Sequence, residues 1–118
     1  MKKIEAFVRH DAFEPIRAEL LEKGFPSISI IEAKGSGRQK GIVEQYRGSS
    51  VTVNVRPKLK LEIVVADGDK DTVVETILRH AQTGEIGDGK IFVSPVEEAI
   101  RIRTGERGDE VTQTHSED

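Results

Sequence analysis

The stretch Lys58-Leu59-Lys60-Leu61-Glu62-Ile63-Val64-Val65 decides the fold class. Leu59, Leu61, Ile63 and Val65 recur at every second position, the period of a strand with one buried face. Toward the amino terminus, Ser27 to Ala33 is β-rich and runs into Gly35-Ser36-Gly37, and Lys3 to Arg9 alternates with Ile4, Ala6 and Val8 on one side. Between these two strands Asp11 and Glu14 stand three apart, an Asp form of the capping box. An apolar stripe of Phe13, Ile16, Leu20 and Leu21 follows, and Gly24 ends it. In the other direction, Asp69 to Ala81 predicts a capped helix with Val73, Val74, Ile77, Leu78 and Ala81 on one face. Thr83 to Lys90 then reads as a loop and Ile91-Phe92-Val93 as a strand. The order β-α-β-β-α-β implies an α+β, ferredoxin-like domain, with two helices on one face of an antiparallel sheet. The other, apolar face is left open and calls for a partner. Ala99 to Thr104 predicts a further short strand, with Ile100 and Ile102 inward and Arg101 and Arg103 outward. The polar tail from Gly105 to Asp118 is predicted to be disordered.

At 118 residues the chain has room for one domain. No apolar run approaches the ~18 residues that span a bilayer, and the charged start lacks the apolar core of a signal peptide, so a cytoplasmic protein is expected. The absence of Cys excludes disulfides, thiolate metal sites and Cys nucleophiles. With no Trp, one Tyr and four Phe, the core has few large side chains, and assembly into an oligomer would supplement it. From Lys34 to Lys60 there are seven basic residues and one acidic, Glu44, a net of +6 in a chain of net −3. Such a segment suits an anionic ligand or an acidic partner, or is a solvated charged loop. The connection from about Gly35 to Arg56 is long for a compact domain and marks the working part. Its second arm, Val51 to Val55, alternates like one side of a hairpin.

Gly87-Asp88-Gly89-Lys90 places two permissive glycines and a cation directly before a strand. Backbone N–H groups can there converge on an anion, although a plain turn would use the same residues. Arg101 and Arg103, two apart, could grip phosphate oxygens in bidentate fashion, or could simply protect a strand edge. Gly35-Ser36-Gly37-Arg38-Gln39-Lys40-Gly41 could surround a carboxylate, or a phosphate with its metal. Neither a P-loop nor a dinucleotide fingerprint is present. His10, His80 and His115 are scattered, without partners at catalytic or metal-ligand spacing. With only Tyr46 for stacking in the basic loop and a negative overall charge, direct nucleic-acid binding is not expected.

Taken together, these stretches resemble the PII nitrogen-regulatory signal-transduction family over roughly Met1 to Gly108. The residues carrying the resemblance are Thr83-Gly-Glu-Ile-Gly-Asp-Gly-Lys-Ile-Phe-Val-Ser-Pro-Val96 with Glu97-Glu-Ala-Ile-Arg-Ile-Arg-Thr-Gly-Glu106, Gly35-x-Gly-Arg-Gln-Lys-Gly41, Tyr46-Arg-Gly-Ser49 and Lys58-x-Lys-x-Glu-Ile-Val-Val65. The resemblance implies a PII-like domain over 1–108, with a T-loop at about 36–55, a nucleotide loop at 83–90 and a polar tail over 109–118. It also implies a homotrimer with ATP or ADP in the clefts between subunits. Gly87, Asp88, Gly89, Lys90, Arg101, Arg103 and Arg38 would surround the phosphates, and Ser29, Glu62 and Val64 the adenosine. 2-Oxoglutarate would bind with Mg-ATP, with Gln39 as a metal ligand, Lys58 facing a carboxylate, and Gly37, Gln39, Lys40 and Gly41 completing the site. Arg47, at the loop tip, would touch an ammonium transporter, glutamine synthetase or another nitrogen-metabolism protein, and the membrane would be approached only through a transporter.

Some positions depart from the family pattern. Val51 replaces the tyrosine that some members uridylylate, which leaves Ser49 as the candidate modification site. Ser36 stands where a bulky apolar residue is common, His10 where many members have Pro, and Ser29 where Thr is usual. Two other functions compete with this one. An acylphosphatase-type hydrolase would need a glycine-rich phosphate cradle after the first strand, and Arg9-His10-Asp11-Ala12 does not provide it. A structural or metal-tolerance trimer would explain the fold but not Gly-Asp-Gly-Lys or Arg-x-Arg. The expected protein is a non-enzymatic regulator.

Overall fold

The computed structural model describes residues 1–36, 42–46, 49–53 and 55–112, with side chains described outside 34–57. Strand β1 (Lys2–Val8) leads to helix α1 (His10–Glu22), then β2 (Ser29–Ser36), a hairpin of β3 (Ile42–Tyr46) and β4 (Ser49–Val53), β5 (Val55–Val65), helix α2 (Lys70–Ala81) and β6 (Lys90–Pro95). The main sheet runs β2-β5-β1-β6, and its pairs, β2 with β5, β5 with β1 and β1 with β6, are antiparallel. The fold is therefore the α+β ferredoxin-like one, with the β3–β4 hairpin inserted as a separate two-stranded sheet.

Alternation in the sequence becomes the core directly. Ile4, Ala6 and Val8 of β1 and Leu59, Leu61, Ile63 and Val65 of β5 point to one face, where they pack with Ala12, Ile16 and Leu20 of α1 and Val73 and Ile77 of α2. Leu21 and Leu78, expected on the buried helix stripes, instead lie about half exposed at the margins.

Helix α1 begins two residues earlier than the capping-box reading places it. Its N-cap is Arg9, which makes no side-chain cap bond, so Asp11 sits inside the first turn, where its charge favours the positive end of the helix dipole. Asp69 does take the N-cap position of α2, again without a side-chain cap bond. The end of α1 follows expectation. Gly24 (φ +91°) donates to the Leu21 carbonyl and Phe25 to the Leu20 carbonyl, a Schellman motif that folds Phe25 into the core. Thr76 and Glu19 join the two helices. The Glu19 carboxylate binds Arg79, Lys23 (2.7 Å) and His80 (2.7 Å), and this set of partners, Arg79 foremost, holds it far below the usual carboxylate range.

The open sheet face is mixed, not the apolar surface that the alternation suggested. The residues left between the core positions include Lys3, Glu5, Lys60 and Glu62, which pair along β1 (Lys3–Glu5, 3.0 Å), along β5 (Lys60–Glu62, 2.8 Å) and across the two strands (Lys60–Glu5, 3.3 Å). Phe7 and Phe92, their rings edge-on at 6.3 Å, are the main apolar contact on it.

The predicted strand over Ala99 to Thr104 does not form. Ile100 makes a single bridge to Arg107, and residues 102–104 turn. The expected facing is also reversed, because Arg101 is 5% exposed and Ile102 99%. Among the described residues no strand lies beside the segment to continue a ladder, and it pairs instead with its own downstream residues. The tail is ordered at its start, where Asp109–Val111 forms a 3-10 turn. Residues 113–118 lie outside the described ones. Among the described residues, no helix is long and apolar enough to cross a membrane.

Candidate functional site

At one end of the sheet the last residues of β1, the start of the helix-facing part of β5 and the first residue of β6 come together, since Val8 pairs with Leu59 and Phe7 with Lys90. The loop from Thr83 to Gly89 crosses this end. Asp88 organises it from within: Oδ2 accepts the N–H groups of Thr83 (2.7 Å) and Gly84 (2.9 Å), Oδ1 accepts the Thr83 hydroxyl at 2.5 Å, and Arg9 lies 3.4 Å away. Those hydrogen bonds, the Thr83 hydroxyl first, hold the Asp88 carboxyl below its ordinary range. Arg9 also donates to the Ile86 carbonyl at 3.0 Å. From the other side, the buried Lys58 ammonium donates to the Gly87 carbonyl.

Asp88 is thus the staple of the loop, and Lys90, the first residue of β6, stands exposed at its end. Gly87 (φ +104°) and Gly89 (φ +108°) turn the chain outward. Lys90 is exposed and forms no ion pair among the described residues. Sequence reasoning passed over Arg9 and Thr83, whose roles depend on the loop closing back onto β1. The Thr83 to Asp88 spacing was the available signal, since a carboxylate five residues after a threonine can bond it across a tight loop.

Asp88 predicts a pH response. A carboxyl depressed in the folded state stabilises the loop above its unfolded pKa and loses that contribution as pH falls through the folded value. Amide protection at Thr83 and Gly84 is expected to persist at neutral pH and to collapse below about pH 4. Hydrogen exchange read by NMR checks this, and the transition should vanish in Asp88→Asn. A wild-type loop unchanged down to pH 2.5 would show that the carboxylate does not hold it.

The other predicted residues fall in three places. Ser29, Glu62 and Val64 lie on the open sheet face away from the loop end: Ser29 pairs with Glu62, which stands opposite Glu5 in mid-sheet, and Val64 follows two residues on, opposite Lys3 toward the end where β6 finishes. Arg101 and Arg103 belong to the segment that leaves β6 at the end opposite the loop. They follow β6, which runs from Lys90 at the loop end to Pro95 at the far end, a span of about 17 Å. Arg103 is exposed in the turn, while Arg101 is buried against Glu106 (3.2 Å). Gly37, Arg38, Gln39, Lys40, Gly41 and Arg47 lie outside the described residues. Ser49 begins β4 and Ser36 ends β2, and only their backbone is described.

Behind the loop, on the helical side, Ile77, Leu78, Ala81, Phe7, Gly89 and Ile91 line a cleft of about 280 Å³. It falls just below the ~300–1,000 Å³ of typical small-molecule sites. Among the described residues no three His, Asp or Glu side chains are grouped to hold a metal ion.

Comparison with known proteins agrees with this geometry. The family model for nitrogen regulatory protein P-II matches residues 1–106. A nitrogen regulatory protein P-II of Rhizobium meliloti is 54% identical over 108 residues, covering 92% of this chain and 96% of that one; the P-II protein of Nostoc punctiforme is 52% identical over 110, covering 93% and 98%. Among solved structures, Arabidopsis thaliana PII bound to citrate superposes with a TM-score of 0.76 at 35% identity, over 99% of this chain and 94% of that one. With the β2-β5-β1-β6 sheet, the hairpin inserted between β2 and β5 and the Thr83 to Lys90 loop all in place, the chain belongs to the nitrogen regulatory protein P-II family, whose members act as regulators and not as enzymes.

Proposed function

We propose that this nitrogen regulatory protein binds ATP or ADP on the Gly87–Lys90 loop, takes up 2-oxoglutarate together with Mg-ATP, and controls a nitrogen-metabolism partner through residues 36–55. The observation that carries the reading is the loop itself. Asp88 and Arg9 hold it in shape, Lys58 ties it to β5, and its glycines and Lys90 are left to face an anion. Such a preorganised set of donors binds phosphate without the entropy loss of ordering a flexible segment.

Ser29, Glu62 and Val64, on the open face toward the end opposite the loop, would provide a surface for the nucleoside of a nucleotide whose phosphates lie on the loop of a second copy. Arg101 and Arg103 lie beyond the far end of β6, which favours assembly: a second copy packed on the open face would carry its own arginines toward the loop, in line with a homotrimer. The described donors suit an anion and not a bare cation, so magnesium would enter with the nucleotide, with Gln39 as its protein ligand. Lys58 would meet a keto-acid carboxylate on the loop's inner side, and Gly37, Lys40 and Gly41 would contribute backbone groups. Mg-ATP thereby becomes a condition for keto-acid binding, and two signals are read as one coupling free energy. The partner is an ammonium transporter, glutamine synthetase or another protein of nitrogen metabolism, met at Arg47, with Ser49 available for modification. The protein would work in the cytoplasm.

Calorimetric titration tests this. ATP and ADP should each bind, 2-oxoglutarate should bind only with Mg-ATP present, and Lys90→Ala should weaken ATP about tenfold by removing one charge-assisted contact. Nucleotide binding without 2-oxoglutarate uptake would reduce the reading to an adenylate sensor, and no nucleotide binding would overturn it.

A further inference from the structure

The carboxy-terminal segment folds back on the chain in a way that the nucleotide reading does not use. Arg101, a fixed cation, is 5% exposed. Its Nη1 donates to Glu106 Oε1 at 3.2 Å and its Nη2 to the Glu110 carbonyl at 3.5 Å. The backbone repeats the closure: Arg101 N–H donates to the Glu106 carbonyl (2.9 Å), Gly105 N–H to the Arg101 carbonyl (2.7 Å) and Gly108 N–H to the Ala99 carbonyl (3.1 Å). Outside this turn Arg107 pairs with Glu98, and Asp109–Val111 completes a 3-10 turn. A buried guanidinium has to be paired, and here its partners come from a segment only five to nine residues further on.

We infer that Glu106 to Thr112 form an acidic strap that competes with nucleotide phosphate for Arg101. The inference rests on the nucleotide reading and specifies how the same site is regulated. A guanidinium fork engaged by the Glu106 carboxylate and the Glu110 carbonyl offers fewer donors to a phosphate oxygen, and Glu106, Asp109 and Glu110 place further negative charge where a polyphosphate would approach. Phosphate must therefore displace the strap. Its construction permits this: a short segment, turned at Gly105 (φ +74°) and Gly108 (φ +93°) and made mostly of exposed residues, belongs to the low-stability end of local opening. The closed strap lowers apparent affinity by the fraction of chains in which Arg101 is engaged, and conditions that open it raise nucleotide binding without any change in the Gly87–Lys90 loop.

The test is calorimetric titration of ADP into the full-length protein and two variants, Glu106→Gln and Gly108→Val, each checked for folding by circular dichroism. The first removes the competing charge. The second places a branched side chain at a φ, ψ pair (+93°, −163°) open essentially to glycine alone, and so disfavours the closed strap while leaving Glu106 intact. Both variants are expected to bind ADP about fivefold more tightly than wild type. Amide exchange at Gly108 is expected to speed up when ADP is added to wild type. Unchanged or weaker ADP binding in a folded variant, beside normal wild-type binding, overturns the strap and leaves the nucleotide reading standing, as does slower exchange at Gly108. Failure of wild type and both variants to bind ADP removes the nucleotide reading and the strap with it.

Discussion

Gly89→Ala is expected to destabilise the protein by roughly 2–4 kcal/mol, the sum of an overpacked contact and a left-handed backbone that no longer suits the residue. The reason lies in one distance. A Cβ at position 89 would stand 1.7 Å from the Phe7 carbonyl oxygen and 2.8 Å from its carbon, and both atoms belong to β1, the strand next to β6. Backbone of a strand paired on both sides cannot step aside as the tip of a side chain can, so the loop must lift off the strand that positions it. Thermal unfolding at fixed protein concentration should show a fall of at least 10 °C. Gly84→Ala separates the two contributions: φ there is +87°, yet a Cβ would meet nothing within 4 Å, so only conformational strain, about 1 kcal/mol, is expected. Equal effects at the two positions would mean that the contact with Phe7 does not constrain the loop. If the Gly87–Lys90 loop holds phosphate, Gly89→Ala should also abolish ATP binding at temperatures where the protein remains folded.

Leu61→Ala is expected to lower stability by about 2–5 kcal/mol, through lost apolar burial and the cavity left behind. Leu61 is 2% exposed and occupies the centre of β5, paired with Ala6 on one side and Ile30 on the other. Its neighbours in the core come from both helices and from the two central strands, and they cannot collapse into the gap without moving an element. Equilibrium urea denaturation measures the change, which should appear in the midpoint and not in the slope. A loss under 1 kcal/mol would show that the core relaxes around this position. Because Leu61 faces the helices, away from Glu62 and the open sheet face, ADP affinity should stay at the wild-type value wherever the variant is folded.

Both predictions turn on residues that the sequence treats very differently. Leu61 is legible from pattern alone, because a period of two is a property of neighbouring residues and survives any tertiary arrangement. The same holds for the helix stripe of Ile16 and Leu20, for Gly24 as the end of α1, and for the order of strands and helices. Gly89 is legible only as one of two glycines in a loop. That its missing side chain is required follows from the closeness of Phe7, some eighty residues earlier, which no local pattern records.

The misreadings have the same origin. Ala99 to Thr104 alternates apolar and basic residues as a strand would, but a strand needs a neighbour, and here the downstream Glu106 to Gly108 takes up the hydrogen bonds and buries Arg101 instead of Ile102. The open sheet face was expected to be apolar, but it carries Lys3, Glu5, Lys60 and Glu62, whose charges meet along and across two strands, β1 and β5, and neutralise one another. The capping box failed because helix α1 starts at His10, which places Asp11 within the first turn.

The sequence by itself determined the α+β class, most of the core positions, the candidate phosphate loop and the resemblance to the P-II family, because each is written in short-range periodicity or in contiguous motifs. Only the tertiary structure decided that Asp88 and Arg9 hold the loop, that Lys58 reaches Gly87, that Arg101 is folded under its own acidic tail, and that the arginines and the loop leave β6 at opposite ends. Those are contacts between groups far apart in the chain or set by which end of a strand they leave, and their energies depend on distances and burial that exist only once the sheet has closed.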